Sequence, residues 1–367
     1  MALPKLTLGI EEEYQIIDPQ TRELANHADS LLVDGARTLG EQIKPEFMRS
    51  QVEVGTSVCA DIREARAEVV RLRRAVADLA AKQGLAVAAA STHPISAWSS
   101  QRVTEDDRYI KLEDDLRDVA RQLLIFGMHV HVGIEDPELR IDVINQARYF
   151  LPHLLALSTS SPFWQGRDTG LRSYRSVIFE NMPRSGIPPS FRAYSEYEGF
   201  IQTLVRTGSI DEPTKIWWDL RPHAKFPTIE FRVADVCTKV DEVMCLAALY
   251  QSIVQKLIKL RYDNHSWRQY RHHLISENKW RAMRYGLDGK LIDFGRQSEV
   301  PLRDLVVELL ELVDDVVDDL GCRAEVEYVN TILEQGSSAD RQLATYRKTG
   351  NLEAVVDQLV EETLEGV

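Results

Sequence analysis

Four short runs in this chain place charged or imidazole side chains two residues apart among apolar neighbours. Side chains alternate across a strand, so in Gly9-Ile10-Glu11-Glu12-Glu13-Tyr14 the carboxylates of Glu11 and Glu13 share one face, about 7 Å apart at a rise of roughly 3.3 Å per residue. Two such acids between buried-looking neighbours repel each other and lose hydration, and a cation or water between them relieves both costs. An edge strand facing solvent is the plainer explanation. His129 and His131, in Gly127-Met128-His129-Val130-His131-Val132-Gly133, repeat the spacing. Two imidazoles on one face suit a metal or a phosphate, whereas a single histidine is more often a satisfied core residue. Glu230 with Arg232 and Asp219 with Arg221 have the same spacing but opposite charges, which a salt bridge on one face explains equally well. Glu46 and Glu53 are seven apart, which puts them on opposite faces of an unbroken strand, so they meet only across a bulge or turn.

The elements that must carry these residues can be read from period and punctuation. Thr7 to Ile17 is a strand that ends in the turn Asp18-Pro19-Gln20-Thr21. Asp61 caps a helix to about Gln83, with Ala65, Val69, Leu72, Val76 and Leu79 at helical spacing, and Leu85 to Ala90 is a buried strand. A charged helix over 106–124 leads into the histidine strand, and Pro137 starts a helix to about Ser158. The Gly-, Pro-, Arg- and Ser-rich stretch 160–190 predicts a long ordered loop of the kind that often serves function. Strands return at 215–220 and 228–236, and from Val240 onward the pattern is helical. No Gly-rich phosphate loop follows any strand, which favours an α+β fold with a largely antiparallel sheet over a doubly wound one. A single catalytic domain over 1–367 is expected, sheet-bearing over 1–236 and mainly helical over 237–367.

Composition narrows the function classes. The 57 acidic against 44 basic side chains give a net charge of -13, which disfavours nonspecific nucleic-acid binding and points to a small-molecule partner. The acidic pairs Asp314-Asp315 and Asp318-Asp319 read as a solvated helix face. Cys59, Cys237, Cys245 and Cys322 show neither a CxxC pair nor zinc spacing, so reduced thiols in a cytoplasmic protein are expected. No targeting segment and no apolar run of the roughly 18 residues that a membrane span needs is expected either.

Taken in order, the motifs resemble the type 2 glutamate–cysteine ligase-like carboxylate–amine ligases, and more distantly plant glutamate–cysteine ligases and glutamine synthetase. The likeness runs from Leu8 to about Phe294. It rests on Gly-Ile-Glu-Glu-Glu-Tyr at 9–14, Gly-Met-His-Val-His-Val-Gly at 127–133, Ser-Pro-Phe-Trp-Gln-Gly-Arg-Asp-Thr-Gly at 161–170, Ser-Tyr-Arg-Ser at 173–176, Ile-Glu-Phe-Arg-Val-Ala-Asp at 229–235 and Glu-Asn-Lys-Trp-Arg-Ala at 277–282. The resemblance implies a glutamine-synthetase-type sheet flanked by helices. It also implies a metal cage of Glu11, Glu13, Glu46, Glu53, His129 and Glu230. His131 and Arg232 would face the transferring phosphoryl group, Arg175 the acid substrate, and Arg281 the nucleotide, with Asp219 as the candidate base.

The reaction so implied joins L-glutamate to an amine such as L-cysteine, with weak glutamate–cysteine ligase activity. It consumes ATP with Mg2+ (or Mn2+), passes through an acyl phosphate and releases ADP and phosphate. A homodimer or larger homo-oligomer is expected. A metal-dependent hydrolase of γ-glutamyl or other amides and a noncatalytic binding protein are the rival readings.

Overall fold

The computed structural model describes residues 3–367. Its centre is a seven-stranded sheet of β1 (Leu8–Ile17), β2 (Ile43–Pro45), β3 (Gln51–Gly55), β4 (Ala86–Ala88), β5 (Met128–Gly133), β6 (Leu220–Pro222) and β7 (Thr228–Phe231). The order is β6-β7-β5-β1-β3-β2, with β4 beside the far end of β1, and every pairing is antiparallel. The expected α+β class with an antiparallel sheet is what the chain adopts.

Alternation gives this sheet two unlike faces. Leu8, Ile10, Val52, Val54, Val130, Val132, Ile229 and Phe231 are buried. They belong to one continuous apolar core with the helices Ile62–Lys82 and Val240–Tyr262, which pack on the sheet and on each other. Asp61 caps the first of these helices, accepting from the backbone of Arg63 and Glu64, as the sequence predicts. Val240–Tyr262 corrects one expectation. By length and composition it is apolar enough to cross a membrane, yet 83% of its apolar window is buried inside the protein, so it serves as the core helix.

Glu12, between the two acids of the opposite face, points into this core. Arg73 meets it with Nη2 2.5 Å from Oε1, and the Tyr14 hydroxyl donates to it at 2.6 Å. Arg73 also donates to the carbonyls of Thr238, Cys237 and Thr363, so the buried pair ties the sheet to the start of the core helix and to the last helix, Leu352–Thr363.

Several boundaries differ from the sequence reading. The helix expected over 106–124 breaks into Asp107–Leu116 and Asp118–Arg121 at Arg117, whose φ is 50°. The stretch 160–190 holds a small hairpin, Phe163–Trp164 with Arg167–Asp168, and a helix, Tyr174–Glu180. Elements this short carry too few residues to display a period. The run 215–220 divides: Trp217–Trp218 pairs in parallel with Ser185–Gly186, while Leu220 onward joins the main sheet, so Asp219 sits at the switch. A hairpin, Lys290–Asp293 with Ser298–Pro301, interrupts the helical C-terminal part. Beside the sheet's β6 edge, Ile141, Phe191, Tyr197, Ile201, Ile216 and Trp218 form a smaller satellite core.

Candidate active site

The second face of the sheet floors an open cavity of about 390 Å3. Register decides what it carries. Glu13 lies opposite Glu53, Glu11 opposite His129, and His131 between Gly9 and Glu230. Gly55 opposite Glu11 and Gly9 opposite His131 keep the floor open beside these side chains, since each lacks a Cβ on the face its partner uses.

Glu13, Glu46 and Glu53 form the first group, with one carboxylate oxygen of each within 4.8 Å of the others. The seven-residue separation is resolved by a turn: β2 and β3 are the arms of a hairpin and Glu46 opens its loop, so the chain folds back on itself between the two acids. The Tyr109 hydroxyl donates to the Pro45 carbonyl at 2.9 Å and braces that hairpin. Gly127 N donates to Glu13 at 2.8 Å, while the nearest cation, Lys44 Nζ, is 3.4 Å from Glu53. Burial, followed by the charge of Glu13, pushes Glu46 up to about 7. Burial and the charges of Glu11 and Glu46 push Glu53 well above the carboxylate range. Three clustered carboxylates offer the hard oxygen donors that Mg2+ or Mn2+ prefers, and the cluster fits such an ion.

Glu11, His131 and Glu230 form the second group on the same 4.8 Å criterion. Its electrostatics are different. Arg221 grips Glu230 through Nε at 2.7 Å and Nη2 at 3.1 Å, and Arg232 Nη1 also contacts it. Burial opposes ionisation of Glu230, but Arg232 and Arg221 overcome it and hold the carboxyl well below its usual range. Burial likewise opposes ionisation of Glu11, and hydrogen bonds with His129 and His131 outweigh it. Two carboxylates are thus balanced by two guanidiniums, and this end of the cavity suits an anion next to a cation better than a second bare cation.

Both histidines stand beside the acids of this second group. His129 Nδ1 is 3.1 Å from Glu11 and 3.4 Å from Arg232 Nη1, and burial and Arg232 lower its pKa. His131 Nδ1 is held at 3.1 Å from Thr228 Oγ1, which leaves its buried Nε2 without a hydrogen-bond partner and 3.7 Å from Glu11. Both imidazoles therefore reach this group: His129 Nδ1 also lies 3.9 Å from Glu230, and His131 offers a nitrogen close to the same two acids.

Arg175, in the first turn of Tyr174–Glu180, reaches the cavity through a gap left by glycine. A Cβ on Gly127 would stand 2.8 Å from Arg175 Nη2 and 3.2 Å from His129 Nε2. Arg175 Nη2 also donates to the Arg232 carbonyl at 3.2 Å, and both guanidiniums lie over the ring of Phe179, at 5.5 and 6.0 Å from its centroid. Asp235 stands behind them, accepting from Ser160 N, Ser161 Oγ and Ser173 Oγ, and so pins the 160–173 loop against the sheet.

Two expected site residues are placed elsewhere. Asp219 does not line the cavity: its carboxylate is committed to the buried Lys279 at 2.7 Å, which leaves it no role as a free base. Arg281 pairs with Glu277 at 2.9 Å and Glu299 at 2.6 Å, outside the cavity. It stands two residues after Lys279 on the helix His272–Tyr285, about 200° around the axis, so when Lys279 points inward Arg281 cannot. Sequence reasoning missed Lys279, the support by Asp235, Arg221 as the partner of Glu230, and the Glu12–Arg73 pair. Of these, Glu12–Arg73 alone left a readable signal: a third acid in a row must face the core and needs a buried cation there.

A family model described as glutamate–cysteine ligase family 2 matches residues 7–358. The chain belongs to that family. Curated relatives provisionally named glutamate–cysteine ligase 2 include one from Herpetosiphon aurantiacus, 56% identical over 98% of this chain and 94% of its own length, and one from Solibacter usitatus, 50% identical over 99% and 95%. The family fold reaches further than its sequences. A solved glutamate–cysteine ligase from Francisella tularensis, in complex with AMP, matches with a TM-score of 0.71 at 14% identity, over 99% of this chain and 89% of that one. A bifunctional glutathione synthetase from Pasteurella multocida matches at 0.68 and 15%, over 98% of this chain and 52% of that one.

Proposed function

We propose that this chain is an ATP-dependent carboxylate–amine ligase that activates the carboxylate of L-glutamate and joins it to an amine, with L-cysteine as the leading candidate. The observation that carries the reading is the polarity of the cavity floor. Three clustered acids, Glu13, Glu46 and Glu53, with Lys44 alone beside Glu53, stand at one end, and the arginine-rich group of Arg175, Arg221 and Arg232 stands at the other.

Glu13, Glu46 and Glu53 would hold the divalent cation. Such an ion would supply positive charge against the phosphates of the nucleotide. The substrate carboxylate attacks the γ-phosphorus of ATP, the bond to the β,γ-bridging oxygen breaks, and ADP leaves. The amine then adds to the acyl phosphate, loses a proton, and expels phosphate as the amide forms. Arg232, fixed by Glu230 and by Phe179, is placed against charge on the transferring phosphoryl group, and Arg175 beside it against the acid substrate. His131 Nε2, buried and without a hydrogen-bond partner, lies 3.7 Å from Glu11 in the same group of acids. Membership of glutamate–cysteine ligase family 2 and the names of the relatives support this reaction class.

The test is phosphate release that requires ATP, Mg2+, L-glutamate and an amine together. Glu13→Gln is expected to lower kcat by at least 100-fold with the unfolding transition unchanged. Release that is indifferent to every amino acid and amine tried, or amide cleavage without nucleotide, would overturn the assignment.

A further inference from the structure

The helix His272–Tyr285 contributes no side chain to the cavity lining, yet it holds both ends of the short helix that carries Arg175. At the near end, the Met283 carbonyl accepts from Arg172 N at 2.7 Å and Ser173 N at 3.2 Å, immediately before Tyr174–Glu180 begins. At the far end, Lys279 Nζ lies 2.9 Å from Glu180, the last residue of that helix. The same ammonium lies 2.7 Å from Asp219, and both of these side chains are almost fully buried. Asp219 leads on to the site: its carbonyl accepts from Arg232 N at 2.8 Å, and its own N donates to Gly186 at 2.8 Å. One buried cation therefore joins the segment bearing Arg175 to the bend that fixes Arg232, and the two arginines meet where Arg175 Nη2 donates to the Arg232 carbonyl.

We infer that Lys279 is a positioning residue, which holds the guanidiniums of Arg175 and Arg232 in register through Glu180 and Asp219. A buried ammonium is ordinarily costly, and an apolar side chain of similar volume would stabilise a merely structural contact at least as well. What a point charge with three donors provides here is a single junction for two carboxylates on separate segments. Because these arginines face charge that grows during transfer, loosening them affects the transition state more than the resting nucleotide complex.

The inference rests on the ligase reading and is tested apart from it. In an assay where the wild-type chain shows ATP-, glutamate- and amine-dependent turnover, Lys279→Met is expected to lower kcat tenfold or more while KM for ATP stays within about threefold. Mn2+ binding, read by electron paramagnetic resonance, is expected to stay unchanged, because Lys279 touches none of the three cage acids. Leu359→Ala, a core truncation in the last helix, controls for lost stability and is expected to keep wild-type kcat well below its melting temperature. If Lys279→Met does not fold, Lys279→Met with Asp219→Asn removes both buried charges and carries the same expectation. Turnover within twofold of wild type in the folded variant, or an equal loss in Leu359→Ala, overturns the inference. A wild-type chain without turnover overturns the ligase reading instead.

Discussion

At the scale of single residues, the cavity is governed by which charges have partners. Glu12 and Glu230 are almost fully buried, yet each is met by arginine, whereas Glu13, Glu46 and Glu53 have mainly one another. Close approach matters as much as charge. Gly127 is the position where a single methyl group would collide with the site, since its Cβ would fall 2.8 Å from Arg175 Nη2, nearer than van der Waals contact allows. Gly127→Ala is therefore expected to push Arg175 outward and reduce kcat/KM for the acid substrate about 10- to 100-fold, roughly 1.4–2.7 kcal/mol of transition-state stabilisation. Circular dichroism and the melting temperature are expected to change little, because the flexible end of a side chain gives way rather than the strand. Wild-type kinetics in this variant would show that the arginine does not need that approach.

At the scale of elements, β1 works on both of its faces. Glu11 and Glu13 serve the cavity, while Glu12 anchors the strand to the helix Ile62–Lys82 through Arg73. Removing one member of such a pair leaves the other buried without its counter-charge. Glu12→Gln is expected to destabilise the fold by about 3–5 kcal/mol, read as a lower midpoint in urea at an unchanged slope. A loss below about 1 kcal/mol would mean that the three carbonyls around Arg73 suffice without the carboxylate. The hairpin of β2 and β3 is the second element that decides the site, since its turn alone brings Glu46 to the side of Glu53.

At the scale of the whole molecule, buried neutral histidines contribute to the loss of stability in acid. Burial lowers His153 to about 4 and His93 to about 3, against 6.5 for a free imidazole. Between those values and 6.5 the unfolded chain binds protons that the fold refuses, so stability rises with pH through that window. The contribution is complete above about 6.5 and is lost as pH falls toward 4 and then 3. His153→Leu is expected to flatten the slope of unfolding free energy against pH between 6.5 and 4 by up to one proton, measured by denaturant titration at a series of pH values. An unchanged slope would remove His153 from this account.

The sequence alone determined whatever depends on local alternation. It placed Glu11 with Glu13, His129 with His131, and Glu230 with Arg232 on shared faces, because strand side chains alternate wherever the backbone stays regular. It also showed an α+β chain with an antiparallel sheet, since hydrophobic period and the lack of a phosphate loop are local properties. Only the tertiary structure decided the partners. Cross-strand register set Glu53 against Glu13 and His131 beside Glu230. A turn reversed the parity of Glu46, and a bend between two strand segments turned Asp219 away from Arg221 toward a lysine 60 residues later. Arg73, Lys279 and Arg221 lie on helices or beyond bends whose facing residues come from distant segments. No spacing rule reaches them, because what fixes a buried charge is the counter-charge that packing brings to it.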